Sequence, residues 1–177
     1  MVHHPTSDDA LSALAAALAT TELRVATCES LTGGKVYRSL TGRPDVSPYV
    51  LGALVLHDTD ATIKAAGVRS KIIERYGLVS DEVALAMAVG ARRRFEAGIA
   101  VATTGVGVPT DARTSLPVGT VCVAVVRIDG YQRVEAALFD GDRDAICKQT
   151  VLLALDMLAE AVEAPWVHVA ECWWIRT

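Results

Sequence analysis

Two short apolar segments of this chain each run directly into a polar loop that contains glycine. The first, Leu23–Thr27, is followed by Cys28–Gly34 (CESLTGG), and the second, Gly98–Thr103, is followed by Thr104–Pro109 (TGVGVP). Short, almost wholly apolar strands are typical of sheets that helices cover on both faces. Because ligands of such sheets bind at the carboxyl ends of the strands, we expect the two loops to line one site.

The rest of the sequence alternates predicted helices and strands. We predict helices over residues 10–19, 32–40, 61–66, 70–76, 82–95 and 141–163, and strands over residues 23–27, 49–56, 98–103, 118–128 and 133–139. The last two strands are joined through Asp129-Gly130, a dipeptide typical of hairpin turns. This order predicts an α/β fold, a single three-layer α/β/α domain with a central mixed sheet.

The predicted domain covers residues 1–164, and a tryptophan-rich tail covers residues 165–177 (PWVHVAECWWIRT). We do not expect three tryptophans to remain in water, so the tail is predicted to add a strand, to contact another subunit or to pack on the domain.

Composition narrows the class of protein. The chain has 177 residues, half of them apolar and about a fifth charged, as expected for one globular domain. A net charge of −4 gives no general attraction to nucleic acid or to anionic membranes, although a helix N-terminus can still bind a small anion. We find no apolar run long enough to span a bilayer and no signal-peptide pattern at the N-terminus, so we expect a cytoplasmic protein with no nucleic-acid or membrane partner.

The four cysteines, Cys28, Cys122, Cys147 and Cys172, are scattered without the paired spacing of metal ligands. We therefore expect reduced thiols and no metal site. Cys28 lies beside the first loop, where it is either a reactive thiol or a buried small hydrophobic residue, and the second interpretation is favoured.

The first loop carries the hydroxyl groups of Ser30 and Thr32, and Gly33 and Gly34 allow another group to approach the backbone closely. Three interpretations are open: a capped strand-to-helix turn, an anion site, or a nucleophilic hydroxyl. A nucleophile needs a base and oxyanion donors, yet neither G-x-S-x-G nor S-x-x-K occurs at Ser30. His57 follows the second predicted strand and is either a base or a structural histidine.

The helix predicted over residues 82–95 is the clearest in the sequence. Its triple arginine, Arg92–Arg94, is either a phosphate patch or a solvated helix end, and the helix dipole favours the second. Its buried side is assigned to Val83, Leu85, Ala86, Met87, Val89 and Gly90.

The sequence resembles the C-terminal domain of competence/damage-inducible protein A (CinA) over roughly residues 8–162. The matching segments are Glu29–Gly34, Leu40-Thr41, Gly67-Val68, Tyr76-Gly77, Val79-Ser80, Glu82–Ala84, Met87-Ala88, Gly90–Arg92, Thr104-Gly105, Pro117–Val121 and Gly141–Arg143.

The resemblance implies a nicotinamide-nucleotide amidohydrolase that converts nicotinamide mononucleotide to nicotinate mononucleotide and ammonia. It implies a small pyridine nucleotide as partner, no metal or cofactor, and a homo-oligomer in the cytoplasm. The nucleophile of the family's E-S-C-T-G-G motif falls on Ser30. The substrate-binding residues that the resemblance implies are Glu29, Thr32, Gly33, Gly34, Thr104 and Gly105.

The chain departs from the family pattern at two places. Where the family has Y-S-N-E-A-K, this chain has His57 at the tyrosine position and Thr62 at the position of the expected base, lysine. Threonine cannot take a proton from Ser30 near neutral pH, and Lys64 and Lys35 are expected to face elsewhere. The second loop has also lost family glycines between Gly107 and Ala112.

Two hypotheses follow. In the first, the protein is a working amidohydrolase with an altered base, for which His57 is the candidate. In the second, it is a weakened or inactive paralogue that acts as a ligand-binding or assembly protein.

Overall fold

Five strands form the central sheet of the computed structural model, which describes residues 7–108 and 115–167. The strands are β1 Val25–Glu29, β2 Val50–Val55, β3 Ile99–Gly105, β4 Thr120–Arg127 and β5 Gln132–Leu138. The helices of the described part are α1 Ser7–Thr21, α2 Lys35–Thr41, α3 Thr59–Ala66, α4 Ser70–Tyr76, α5 Asp81–Arg94 and α6 Arg143–Glu163, with a 3₁₀ turn at Ser47–Tyr49.

The strand order is β2-β1-β3-β4-β5. Strand β1 pairs in parallel with β2 and with β3, and the last two pairs are antiparallel. The carboxyl ends of β2, β1 and β3 therefore lie side by side, with Glu29 opposite Val55 on one flank and Thr103 on the other. The predicted α/β fold with a mixed sheet is confirmed.

The two faces of the sheet bury alternate residues of β3 against different helices, because successive strand side chains point to opposite faces. Val101 packs in a core with Leu14 of α1 and Leu158 of α6. Ala100 packs instead in a core with Met87 of α5. The result is the three-layer α/β/α arrangement.

Helix α2 begins at Lys35, three residues later than the sequence predicted. Gly33 and Gly34 have φ angles of +59° and +89°, in the left-handed region that favours glycine. This turn lets the chain leave β1 and change direction before the helix starts.

Arg127 lies buried at the end of β4, a position that sequence reasoning did not single out. Its guanidinium pairs with Asp129 at 2.7 Å and donates to the carbonyl oxygens of Ala161, Ala164 and Pro165. The Trp166 ring lies 4.9 Å from the guanidinium carbon.

The start of the tryptophan-rich tail therefore packs on the domain. The remainder, residues 168–177, and residues 109–114 of the second loop lie outside the described residues. In the described part of the chain, no helix is both long enough and apolar enough to cross a membrane.

Candidate active site

Ser30 is the first residue after β1 and is half-buried. Its backbone N–H donates to the Thr103 carbonyl at 3.0 Å, and the Leu56 N–H donates to the Glu29 carbonyl at 2.7 Å. These two bonds extend the pairing of the three parallel strands, so His57 follows β2 on one side of Ser30. Thr104 and Gly105 end β3 on the other side. The sheet thus brings the predicted segments to one edge.

The Glu29 carboxylate points into the protein rather than toward solvent, and the residue is 0% exposed. Five groups donate to it over 2.7–3.1 Å: the hydroxyls of Thr27 and Thr32, and the backbone N–H groups of Gly34, Val36 and Tyr37. Three of these donors belong to the start of α2, whose first N–H groups have no partner within the helix. Glu29 therefore caps α2 from the preceding strand and fixes the turn that carries Ser30.

The buried position of the Glu29 carboxylate differs from the one expected for a substrate-binding side chain, because neither Glu29 oxygen faces outward. The sequence does contain a signal that Glu29 caps α2. A carboxylate is favoured beside a helix N-terminus, and Glu29 is the acidic residue nearest to the start of α2.

Thr32 is also buried, and its hydroxyl lies between two polar side chains. Its Oγ1 donates to Glu29 Oε2 at 2.7 Å and lies 2.7 Å from Thr103 Oγ1. The hydroxyl thereby links the first loop to the end of β3. Gly33 and Gly34 form the outward part of the turn, where Gly33 is exposed.

Thr104 and Gly105 hold the end of β3 in place. The buried Thr104 hydroxyl donates to the Leu78 carbonyl at 3.0 Å. A side chain at Gly105 would collide with Leu31 and with the Thr120 carbonyl. The absence of a side chain there lets Leu31, the residue after Ser30, pack against the sheet, and Cys147 Sγ donates to the Leu31 carbonyl at 3.4 Å.

The candidate bases occupy different environments. His57 is exposed at the end of β2. Thr62 is 1% exposed, and its hydroxyl donates to the Asp58 carbonyl one helical turn earlier, at 2.8 Å. Lys64 pairs with Asp60 at 3.4 Å and Lys35 with Asp144 at 3.1 Å.

Both of these lysine pairs lie at the surface.

Neither the Ser30 hydroxyl nor the His57 ring has a hydrogen-bond partner among the residues described.

Three consecutive backbone N–H groups follow Ser30 without an acceptor in residues 7–108 and 115–167. They belong to Leu31, Thr32 and Gly33. Free N–H groups in a turn that opens a helix favour negative charge, and such donors stabilise the oxyanion of acyl transfer.

The thiol beside this loop is buried, as predicted. Burial, followed by the nearby Glu29 charge, raises the pKa of Cys28 to about 12, so the thiol stays protonated at neutral pH. No cluster of three or more His, Cys, Asp or Glu side chains suited to a metal ion occurs within the described ranges.

Two surface cavities lie away from Ser30. One, of about 480 Å³, lies between the ends of α1 and α6 beside Trp166. The other, of about 1410 Å³, runs along α5.

A sequence model of the CinA C-terminal domain matches residues 8–162. The chain belongs to the CinA C-terminal domain family. A CinA-like protein of Mycobacterium sp. (strain MCS) is 40% identical over 139 residues, covering 78% of this chain and 33% of that protein. A CinA-like protein of Mycobacterium tuberculosis (strain H37Rv) is 39% identical over 135 residues, covering 76% of this chain and 31% of that protein. The chain thus spans about a third of the length of these curated relatives.

Solved structures of CinA proteins share the fold. A competence or damage-inducible protein from Enterobacter asburiae superposes with a TM-score of 0.84 at 29% identity, covering 89% of this chain and 99% of that one. A CinA superfamily protein from Escherichia coli gives a TM-score of 0.82 at 32% identity, with 90% and 92% covered. The competence/damage inducible protein CihA from Agrobacterium tumefaciens gives 0.83 at 31% identity, with 93% and 100% covered.

Proposed function

We propose that this CinA-family domain is a metal-independent amidohydrolase that acts on nicotinamide mononucleotide with Ser30 as nucleophile. Ser30 Oγ forms a bond to the carboxamide carbon and gives its proton to a base. The carbon–nitrogen bond then breaks and ammonia leaves with that proton. Water hydrolyses the resulting ester, which releases nicotinate mononucleotide and restores Ser30.

The observation that carries the proposal is that Ser30 immediately precedes Leu31, Thr32 and Gly33, whose backbone N–H groups have no acceptor among the described residues. Such donors stabilise the negative oxygen that develops when a carboxamide is attacked, and losing one costs about 10²–10³-fold in rate in a comparable oxyanion hole.

In this proposal Glu29 and Thr32 are positioning residues, because their hydrogen bonds hold the turn from inside the protein. Gly33 and Gly34 form the wall nearest the substrate, and Thr104 and Gly105 form the opposite wall. The nucleotide is the partner, and the proposed setting is a homo-oligomer in the cytoplasm.

His57 is the proposed base, because it follows the strand next to that of Ser30 and its exposed ring has no partner among the described residues. A neutral imidazole ring has a nitrogen that can accept a proton, which is why histidine often acts as a general base. Thr62 cannot replace a lysine as the base, because a threonine hydroxyl does not take up a proton near neutral pH; in the structure it donates to the Asp58 carbonyl.

Thr62 also favours the second candidate function, a weakened paralogue that binds the nucleotide without turnover. By the resemblance, Thr62 stands at the position of the family's lysine, and its side chain is neutral, buried and hydrogen-bonded to the Asp58 carbonyl. General base catalysis contributes about 10²–10⁴-fold, so its loss alone would leave binding with little reaction.

One set of variants separates the two candidates. Nicotinate mononucleotide and ammonia are measured for the wild type, Ser30→Ala, His57→Ala and Thr62→Lys. The amidohydrolase proposal predicts product from the wild type, none from Ser30→Ala and at least about 100-fold less from His57→Ala. If the wild type binds the nucleotide without product and only Thr62→Lys releases ammonia, the paralogue function replaces it.

A further inference from the structure

Helix α5 is apolar on more of its surface than the domain covers. From Val83 to Ala91 its sequence, VALAMAVGA, contains no polar side chain. The residues that the domain buries fully are Val83, Ala84, Met87, Ala88 and Ala91. Leu85, Ala86 and Val89, which the sequence also assigned to the buried side, pack against the same core but are only half-buried, so part of each faces outward. An amphipathic surface helix carries polar residues on its outward face, so this outward apolar strip is unusual.

The strip continues into charged residues at both ends. Glu82, Leu85, Val89 and Arg93 follow one another at intervals of three or four residues, and Ala86 lies four residues after Glu82 and three before Val89, so the five lie along one side of the helix. We call these five residues the α5 stripe. All five line the groove of about 1410 Å³, which α3 and α4 flank on one side and the β4–β5 turn on the other. Pockets for small molecules hold about 300–1,000 Å³, so the groove suits a larger occupant.

The charge of the stripe changes sign along the helix. Asp81 and Glu82 begin α5, and Arg92–Arg94 end it. Within the described ranges, none of the three arginines forms an ion pair with a carboxylate, and Glu82 forms none with a basic side chain. Partial burial, and then the neighbouring Arg93, lower the pKa of Arg92, as expected where positive charges crowd together without an anion.

We propose that the α5 stripe is the contact between two copies of this chain, with the two α5 helices antiparallel across a two-fold axis. In this arrangement Glu82 of each copy faces Arg93 of the other, and Ala86 faces Val89. The same patch serves both copies, as a two-fold dimer requires. The α5 stripe would be a subunit interface of the homo-oligomer proposed above, and this role does not depend on the chemistry of Ser30.

The charge pattern of the α5 stripe favours a second, antiparallel copy of the chain over other partners. A parallel pair of α5 helices would place arginine against arginine and Glu82 against Glu82. A nucleic acid would meet the arginines but also Glu82 and an apolar centre, and the net charge of −4 opposes it. An antiparallel second copy pairs both charged ends and covers the apolar centre at once.

The test is a charge exchange across the two-fold axis, with mass measured by analytical ultracentrifugation. Glu82→Arg alone creates two Arg–Arg contacts per dimer, and Arg93→Glu alone creates two Glu–Glu contacts. Both residues are exposed, so we expect both variants to fold, which circular dichroism checks. Each is expected to raise the dimer dissociation constant at least about tenfold, because facing like charges oppose association.

Two combinations restore opposite charges at both contacts. They are the double variant Glu82→Arg/Arg93→Glu and the equimolar mixture of the two single variants. Both are expected to dimerise within about threefold of the wild type, which an effect on one chain alone would not produce. Glu74→Arg, on the exposed surface of α4, is the charge-matched control and is expected to leave the constant unchanged.

The proposal is overturned if the wild type is a monomer at all concentrations, if the single variants dimerise as tightly as the wild type, or if neither combination restores association. Adding a DNA duplex tests the alternative directly, since binding of DNA through the arginines would also contradict it. These readouts measure mass, so a failure of the amidohydrolase proposal leaves them unaffected.

Discussion

Thr32 Oγ1 and Thr103 Oγ1 lie 2.7 Å apart in the interior, although 71 residues separate them in the chain. Thr32 uses its proton for the Glu29 carboxylate, so the Thr103 hydroxyl must be the donor to Thr32. The chain Thr103–Thr32–Glu29 connects the end of β3 to the turn that carries Ser30. Two strand ends and the start of α2 therefore hold a common geometry.

Thr32→Val tests this connection, because valine keeps the shape and removes both hydrogen bonds. A bond to a charged group contributes about 1.5–3 kcal/mol, so we expect the free energy of unfolding to fall by about 2–3 kcal/mol in urea titrations. Thr32→Ser keeps the hydroxyl and is expected to lose less than half as much. Equal losses for valine and serine would show that the hydroxyl has no stabilising role.

Glu29→Gln keeps the size of the side chain but turns one acceptor oxygen into an NH₂ group that faces N–H donors of α2. We expect a loss of about 2–4 kcal/mol in the free energy of unfolding. Glu74→Gln on exposed α4 is the control and should stay within about 0.5 kcal/mol. A stable Glu29→Gln variant with full ammonia release would contradict the positioning role.

Gly33 and Gly67 offer a matched pair of substitutions. Their φ angles are +59° and +69°, and at each a Cβ atom would meet nothing within 4 Å. Substitution by alanine should therefore lower the free energy of unfolding by a similar amount at both sites, about 1–2 kcal/mol, because the left-handed backbone disfavours any side chain. Only Gly33→Ala is expected to lower ammonia release, because only residue 33 belongs to the proposed oxyanion site with Leu31 and Thr32. Equal activity of the two variants would argue against that site.

Asp129 makes stability depend on pH. Burial raises the pKa of its carboxyl, but hydrogen bonds from Arg127, Val167 and Tyr131 outweigh it and hold the pKa below its usual value. A lowered folded pKa stabilises the protein above the unfolded pKa, near 3.8, and that stability is lost as pH falls through the folded pKa.

We therefore expect Asp129→Asn to cost about 3 kcal/mol at pH 7, as for breaking a buried ion pair, and the difference from the wild type to shrink below about pH 4. Urea titrations at several pH values measure it. Asp45→Asn, which breaks the exposed pair with Arg43, is the control and should change stability little. A difference that is constant from pH 7 to pH 3 would contradict the assignment.

The fold could be predicted from the sequence because its signals are local. Apolar runs marked the strands, and the Asp129-Gly130 dipeptide marked the hairpin. The capping residues Asp58, Ser80 and Asp142 stand at the starts of α3, α5 and α6. Each of these depends on neighbours in sequence.

The geometry of the candidate site was harder to predict from the sequence than the fold, for a physical reason. Strand β1 is buried on both faces, so its pattern does not show which way Glu29 points. The late start of α2 depends on two left-handed glycines, and the burial of Arg127 depends on carbonyl groups of α6 and the tail. The outward face of α5 required the structure, because its apolar sequence fits either side of the helix.

The most direct test of the central claim is the rate of ammonia release from nicotinamide mononucleotide, measured side by side for the wild type and Ser30→Ala. Ser30 is half-buried and its hydroxyl has no partner in the described part of the chain, so the substitution should leave the fold unchanged. We predict steady release by the wild type and a fall of at least about 10³-fold in Ser30→Ala. Equal release by both proteins, or none by the folded wild type, would contradict the assignment of Ser30 as an amidohydrolase nucleophile.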